Sequence, residues 1–369
     1  MTMSFSKTIT PYRGLLQDVS DCMNDPKGIL ERTDLDWAGV KVPLYAEHWN
    51  YRSHPIQDQY VQTPYDNRYA IARPNNDGTV TFIDGGKPVG QHFKLLDNRT
   101  IIKDMCEFAN KTNLNIDYAG AIDNGRLVVA SAVSENLKDI AGGDVDLKKG
   151  DVVQTGVIMV GSYESGLSSS WMYQVMRLVC LNGMCKKMSK SAYRVRHHGQ
   201  RYESSGVMNI FRDLETHSTE VLEKLATFAK TKANAAVQHA MLLQLTQEDL
   251  FSAVLEETKQ RIGTSFSWSP KMFLEALTES QDVVEILLEN VRDKGSRTMK
   301  NLIEINNSQP GLQYVEGTIA QPLHAITHWV DHHRGNRVDS GVESSLFGVG
   351  ALLKENAMQL AGQYQNVLQ

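Results

Sequence analysis

The chain has 369 residues, 41% hydrophobic and 22% charged, with 38 Lys and Arg against 43 Asp and Glu for a formal net charge of −5. Such a length exceeds the usual size of one core and calls for one large or two modest domains, and the composition is that of an ordinary globular protein rather than a disordered or fibrous one. No stretch approaches the ~20 apolar residues that span a bilayer, and Met1-Thr-Met-Ser-Phe-Ser6 lacks the basic start and apolar stretch of a signal peptide, so no membrane partner and a cytoplasmic location are expected.

Residues 1–58 read as an irregular arm with one helix. Asp25-Pro26 opens that helix, with Pro at an early position where its missing N–H does no harm, and the pattern runs through Ile29, Leu30 and Leu35 toward Trp37. Val40-Lys-Val-Pro-Leu-Tyr45 alternates like a strand with a proline-marked end.

Residues 59–204 read as an α+β core. Short strands are expected at 68–72 and 79–83, the second closed by Asp84-Gly85-Gly86. A helix follows over 99–111, with Ile101, Ile102, Met105 and Phe108 on one face. Strands at 115–121 and 126–133 flank Asp123-Asn124-Gly125, where Asp or Asn before Gly favours the tight turns that match strand twist. A polar loop spans 142–150 and an apolar strand 152–162. The apolar residues Trp171, Val175, Leu178 and Val179 suggest a helix over 169–188, and Tyr193-Arg-Val-Arg-His-His198 alternates as a strand does. The pattern is α+β with a largely antiparallel sheet: a hairpin, a strand and a helix.

Residues 205–369 read as a helical C-terminal part. A long helical pattern covers 213–245, Thr246-Gln-Glu-Asp249 resembles a capping box, and Ser269-Pro270 is a cap followed by Pro at the first helical position. Further helices are expected over 270–294, 317–334 and 342–366. Internal repeats are absent. The four cysteines, Cys22, Cys106, Cys180 and Cys185, form no CxxC pair, and free thiols in a reducing compartment account for them.

One segment stands out by charge. Between Arg177 and Tyr202 there are seven Lys and Arg residues and no acid, leaving the remainder of the chain at −12. Such a run on an acidic protein is a candidate phosphate-binding footprint. Lys186, Lys187 and Lys190 would cluster at the end of the helix, and Arg194, Arg196 and His198 would share one face of the following strand. Arg201 extends the run, and Tyr193 and Tyr202 offer rings on which unpaired bases stack. The plainer reading is a solvated helix end and an exposed strand.

Other chemistry is poorly supported. Phosphate loops of the GxxxxGK[ST] or GxGxxG kind and the GxSxG elbow are missing, so no nucleotide cofactor, no other cofactor and no catalytic residue is assigned. His324, His328 and His332 are spaced i, i+4, i+8, but the outer two lie ~12 Å apart along a straight helix, too far to share one ion. No metal site is assigned.

Several segments together resemble a family of phage and plasmid proteins catalogued as a domain of unknown function. They are Leu35-Asp-Trp-Ala-Gly-Val-Lys-Val-Pro-Leu44, Asn67-Arg-Tyr69, Ala119-Gly-Ala-Ile-Asp-Asn-Gly-Arg-Leu-Val128, Arg177-Leu-Val-Cys-Leu-Asn182, Arg196-His197 and Ala325-Ile-Thr-His-Trp-Val-Asp-His332. The family's Trp-His-Gly is Tyr12-Arg13-Gly14 here, its Ser-His-Asp-Gly-Ser is Ser162-Tyr-Glu-Ser-Gly166, and the threonine after Arg-His is His198. The order hairpin, strand, helix is similar to the core of phage single-strand annealing recombinases. That similarity implies binding of single-stranded DNA and strand annealing without ATP or metal, by rings or filaments of the chain in a bacterial cytoplasm. The alternative is a non-enzymatic structural or host-interaction protein that self-assembles through its helical C-terminal part, with Leu346, Val349, Leu352 and Leu353 as an apolar stripe.

Overall fold

The computed structural model describes residues 11–49, 60–134, 138–139, 152–164, 167–177, 182–187, 194–195, 207–263, 269–335, 338–346 and 348–369. Strand β1 (Gln17–Asp18) precedes helix α1 (Pro26–Thr33). Asp25 caps α1, its carboxylate accepting from the backbone N–H groups of Lys27 and Gly28. The helix stops at Asp34, which turns left-handed with φ 51°, so Leu35 and Trp37 are buried beyond it rather than on it.

Strands β2 (Val40–Trp49), β3 (Tyr60–Pro74), β4 (Val80–Phe82) and β5 (Val89–Gly90) form a small antiparallel sheet. The strand expected at Val40–Tyr45 forms as part of β2, which pairs along β3.

Helix α2 (Asn98–Thr112) starts at the capping Asp97 and buries Ile101, Ile102, Met105 and Phe108, as the spacing predicts. The larger sheet follows: β6 (Leu114–Ile122), β7 (Leu127–Ser134), β8 (Lys138–Asp139), β9 (Val152–Ser162), β10 (Ser169–Arg177), β11 (Asn182–Lys187) and β12 (Arg194–Val195). Its order is β1-β6-β7-β9-β10-β11, all antiparallel, with β8 added on β9 and β12 on β10. Asp123, Asn124 and Gly125 in the β6–β7 turn all have positive φ, at 52°, 54° and 92°. A side chain at Gly125 would also meet the Trp37 ring at 2.7 Å, so glycine is required there twice over.

Both faces of this sheet are covered. One packs on α1 and α2 through Ile29, Ile102, Phe108, Val128, Met159 and Trp171. The other carries Leu16, Ile122, Val129, Ile158, Val160 and Met172.

The helix expected over 169–188 is replaced by β10 and β11. A strand buried on both faces is apolar at nearly every position and loses the alternation that marks it, so periodicity cannot separate it from a buried helix. Trp171 and Tyr173 enter one core while Met172 enters the other, which a helix would not allow. The antiparallel α+β class holds, but the third strand is followed by a strand, not a helix. Within 193–198 the described strand is β12; the expected loop at 142–150 lies outside the described residues.

The rest is helical: α3 (Val207–Lys230), α4 (Ala235–Thr246), α5 (Glu248–Ile262), α6 (Pro270–Glu279), α7 (Gln281–Lys294), α8 (Arg297–Ser308), α9 (Leu312–Val315), α10 (Ala320–His328), α11 (Val338–Leu346) and α12 (Val349–Leu368). The long pattern over 213–245 breaks into two helices at Asn234, whose side chain caps α4. Ser269 caps α6 ahead of Pro270 as expected. The capping box at Thr246 does not form, because the Thr246 hydroxyl donates back to the Leu242 carbonyl. These helices share a core that reaches the sheet at Val153 and Val175. α3 packs on β10 and α2, α10 and α12 pack on β11, and α11 places Val342 and Leu346 on the sheet's second face. The C-terminal stripe divides: Leu346 and Leu353 pack inward, while Val349 and Leu352 are 62% and 56% exposed. Among the described residues no helix is long and apolar enough to cross a membrane. Cys106 is buried, which pushes its thiol up to about 12.

Candidate functional site

The register of β10 decides what the basic run becomes. Lys187 stands opposite Met172, Lys186 opposite Tyr173, and Arg194 opposite Ser170. β11 and β12 therefore lie in line on the side of β10 away from β9. Positions 187 and 194 are two β10 residues apart, about 7 Å at ~3.3 Å per residue, and belong to one face. Position 186 belongs to the other face, so residues 186 and 187 stand on a strand rather than at the end of a helix. Lys190, Tyr193, Arg196, His198 and Arg201 lie outside the described residues.

A second polar centre was not foreseen. α10 passes into a π turn, Trp329–His333, a geometry that is rare and frequent at functional sites. Asp331 in this turn accepts from Lys354 of α12 and from the hydroxyl of Ser345 on α11. Lys354 also donates to Ser345 Oγ at 2.8 Å, and its side chain is 4% exposed. The three groups tie the turn to both following helices.

Beside them the His328 ring lies 4.7 Å from that of His332 and 5.2 Å from that of His333. Burial, then the two neighbouring imidazoles, push His328 down to about 3, against the smaller opposing pull of Asp331. His328 is therefore neutral near pH 7. Among the described residues, no group of three or more His, Cys, Asp or Glu is arranged to hold a metal ion. A depressed histidine contributes stability that is present above its unfolded value of ~6.5 and lost as pH falls toward 3. Urea titrations of wild type and His328→Gln at pH 7 and pH 5 test this. Between those values the variant is expected to gain about 1–2 kcal/mol relative to wild type.

Arg126 forms the third junction. Its side chain is 8% exposed, and its Nε donates to Asp123 Oδ2 at 2.8 Å while its other nitrogens reach Glu164 and Glu343. Burial opposes the charge, but the three carboxylates, Glu343 foremost, outweigh it and raise the guanidinium pKa. The hairpin turn, the segment after β9 and α11 are thereby joined. Tyr163, next to Glu164 in the chain, donates to Asn98 Oδ1 at 2.8 Å and packs 5.5 Å from Trp37.

An antiparallel α+β core, closed by a helical layer through buried ion pairs, is the class of protein defined here. The chain belongs to the family described as Domain of unknown function (DUF932), whose model matches residues 87–346. That span takes in α2, β6 to β12, Arg126 with its three carboxylates, and the π turn, whereas Lys354 lies beyond it. No curated protein and no solved structure was found to match the chain.

Proposed function

We propose that the protein binds single-stranded DNA, as a phage-type annealing protein that uses neither ATP nor metal and assembles on the strand as rings or filaments. Support comes chiefly from one observation: β11 and β12 continue one another along β10, which brings two parts of the acid-free basic run onto one line of the sheet. Two basic positions, 187 and 194, about 7 Å apart along the sheet suit an extended phosphate backbone. The family resemblance adds phage and plasmid context. The hairpin–strand–helix likeness to annealing recombinases adds nothing beyond the third strand, because β10 replaces the helix.

The test is binding of a fluorescently labelled single-stranded oligonucleotide by the full chain across a salt series. Affinity is expected to fall with salt, log K dropping by ~0.7 per phosphate contact for each unit of log salt. Electron microscopy of the same samples is expected to reveal rings or filaments whose length changes with DNA. Absence of binding even at low salt is the contrary result.

A further inference from the structure

The sheet face beneath α11 carries a cluster of polar side chains at one corner. Tyr12, in a 3₁₀ turn at Pro11–Gly14, donates through its hydroxyl to Gln174 Oε1 and lies 3.4 Å from Ser131 Oγ. Gln174 Nε2 donates to Ser131 Oγ at 3.3 Å, and both residues are at most 1% exposed. Tyr12 holds a left-handed backbone with φ 51°, an uncommon state for a bulky side chain.

The fourth member comes from a bulge. The β6–β7 register shifts between Ile116 and Tyr118, which leaves Asp117 as an extra residue. Bulges are frequent beside functional sites, where they re-aim a side chain. The Asp117 carboxylate accepts from the Tyr118 N–H at 3.0 Å and from the Ser131 hydroxyl. The residue keeps some exposed area, yet protein encloses its carboxyl enough for burial to push it up to about 6, with Asp18 of β1 adding to the rise. Among the described residues no Lys or Arg pairs with it. The rings of Tyr12 and Tyr118 meet edge to face at 5.9 Å and 68°.

Among the described residues this corner thus holds a carboxylate with no cationic partner, beside a tyrosine in a left-handed backbone. We propose that this corner is a binding site for an organic cation, an alkylammonium or guanidinium group held against Asp117 beside the paired rings of Tyr12 and Tyr118. One carboxylate and two phenol rings suit such a cation through charge and cation–π attraction. They do not suit Ca²⁺ or Mg²⁺, which need six or more oxygen ligands or retained waters.

Calorimetric titration of the full chain with n-butylammonium chloride and methylguanidinium chloride tests the site, with n-butanol and sodium chloride as controls. Both cations are expected to bind and both controls to give no binding heat. Asp117→Asn is expected to weaken the cations tenfold or more while the thermal midpoint shows an intact fold, since the Asn Oδ1 can accept from the Tyr118 N–H as the carboxylate does. If that variant does not fold, Tyr118→Leu carries the test through a several-fold loss. Spermidine and a lysine-containing peptide then separate a free polyamine from a partner's side chain by which binds tighter. No binding by wild type, equal binding of butanol and butylammonium, or unchanged affinity in the folded variants would overturn the proposal.

Discussion

Replacing Lys354 with methionine is expected to destabilise the protein by about 3–5 kcal/mol, because it strands a buried carboxylate. Methionine keeps most of the aliphatic stem, so the loss reads the charge rather than a cavity. Lys354 and Asp331 are 4% and 12% exposed, and the hydroxyl of Ser345 still donates to the carboxylate of Asp331 once the ammonium is gone. The same logic makes the pair replaceable as a unit. Asp331→Asn combined with Lys354→Met is expected to recover a large part of the loss, since no unpaired charge remains. Urea denaturation followed by far-ultraviolet circular dichroism compares the three proteins. Additive losses would mean that the pair is not coupled and that the π turn is held by packing alone.

Arg126→Met is expected to cost about 3–5 kcal/mol, as a buried cation with three carboxylates is deleted. Asp123 is 50% exposed and can be solvated, but Glu164 and Glu343 are 23% and 32% exposed and lose their counter-charge while partly enclosed. Arg126→Lys is expected to keep part of the stability, because a single ammonium cannot meet three carboxylates from three directions as a guanidinium does. Hydrogen exchange across α11 should rise in Arg126→Met before global unfolding. An unchanged α11 would show that Val342 and Leu346 hold the helix without Glu343.

What was legible in the sequence follows from how local each signal is. Asp25-Pro26, Ser269-Pro270 and Asp123-Asn124-Gly125 predict the caps and the turn because each satisfies its own backbone within a few residues. β10 was misread because its two apolar faces serve two cores, leaving no polar face to set the period. The ionic centres were out of reach for a different reason. Asp331 and Lys354 are 23 residues apart, and Arg126 and Glu343 are 217 apart, so only tertiary packing brings them together. The basic run was visible as charge, while its division between two faces and two strands needed the register of β10.

The basic edge is tested most directly by comparing wild type with Lys187→Ala/Arg194→Ala/Arg196→Ala for single-stranded oligonucleotide binding over a salt series, with thermal midpoints as the control for folding. Wild type is expected to bind with a steep salt dependence. The triple variant should bind more weakly, with its log–log salt slope reduced by about 2, at ~0.7 for each lost phosphate contact. Identical affinities and slopes for the two folded proteins, or negligible binding by both, would contradict a single-strand-binding role for the edge formed by β11 and β12.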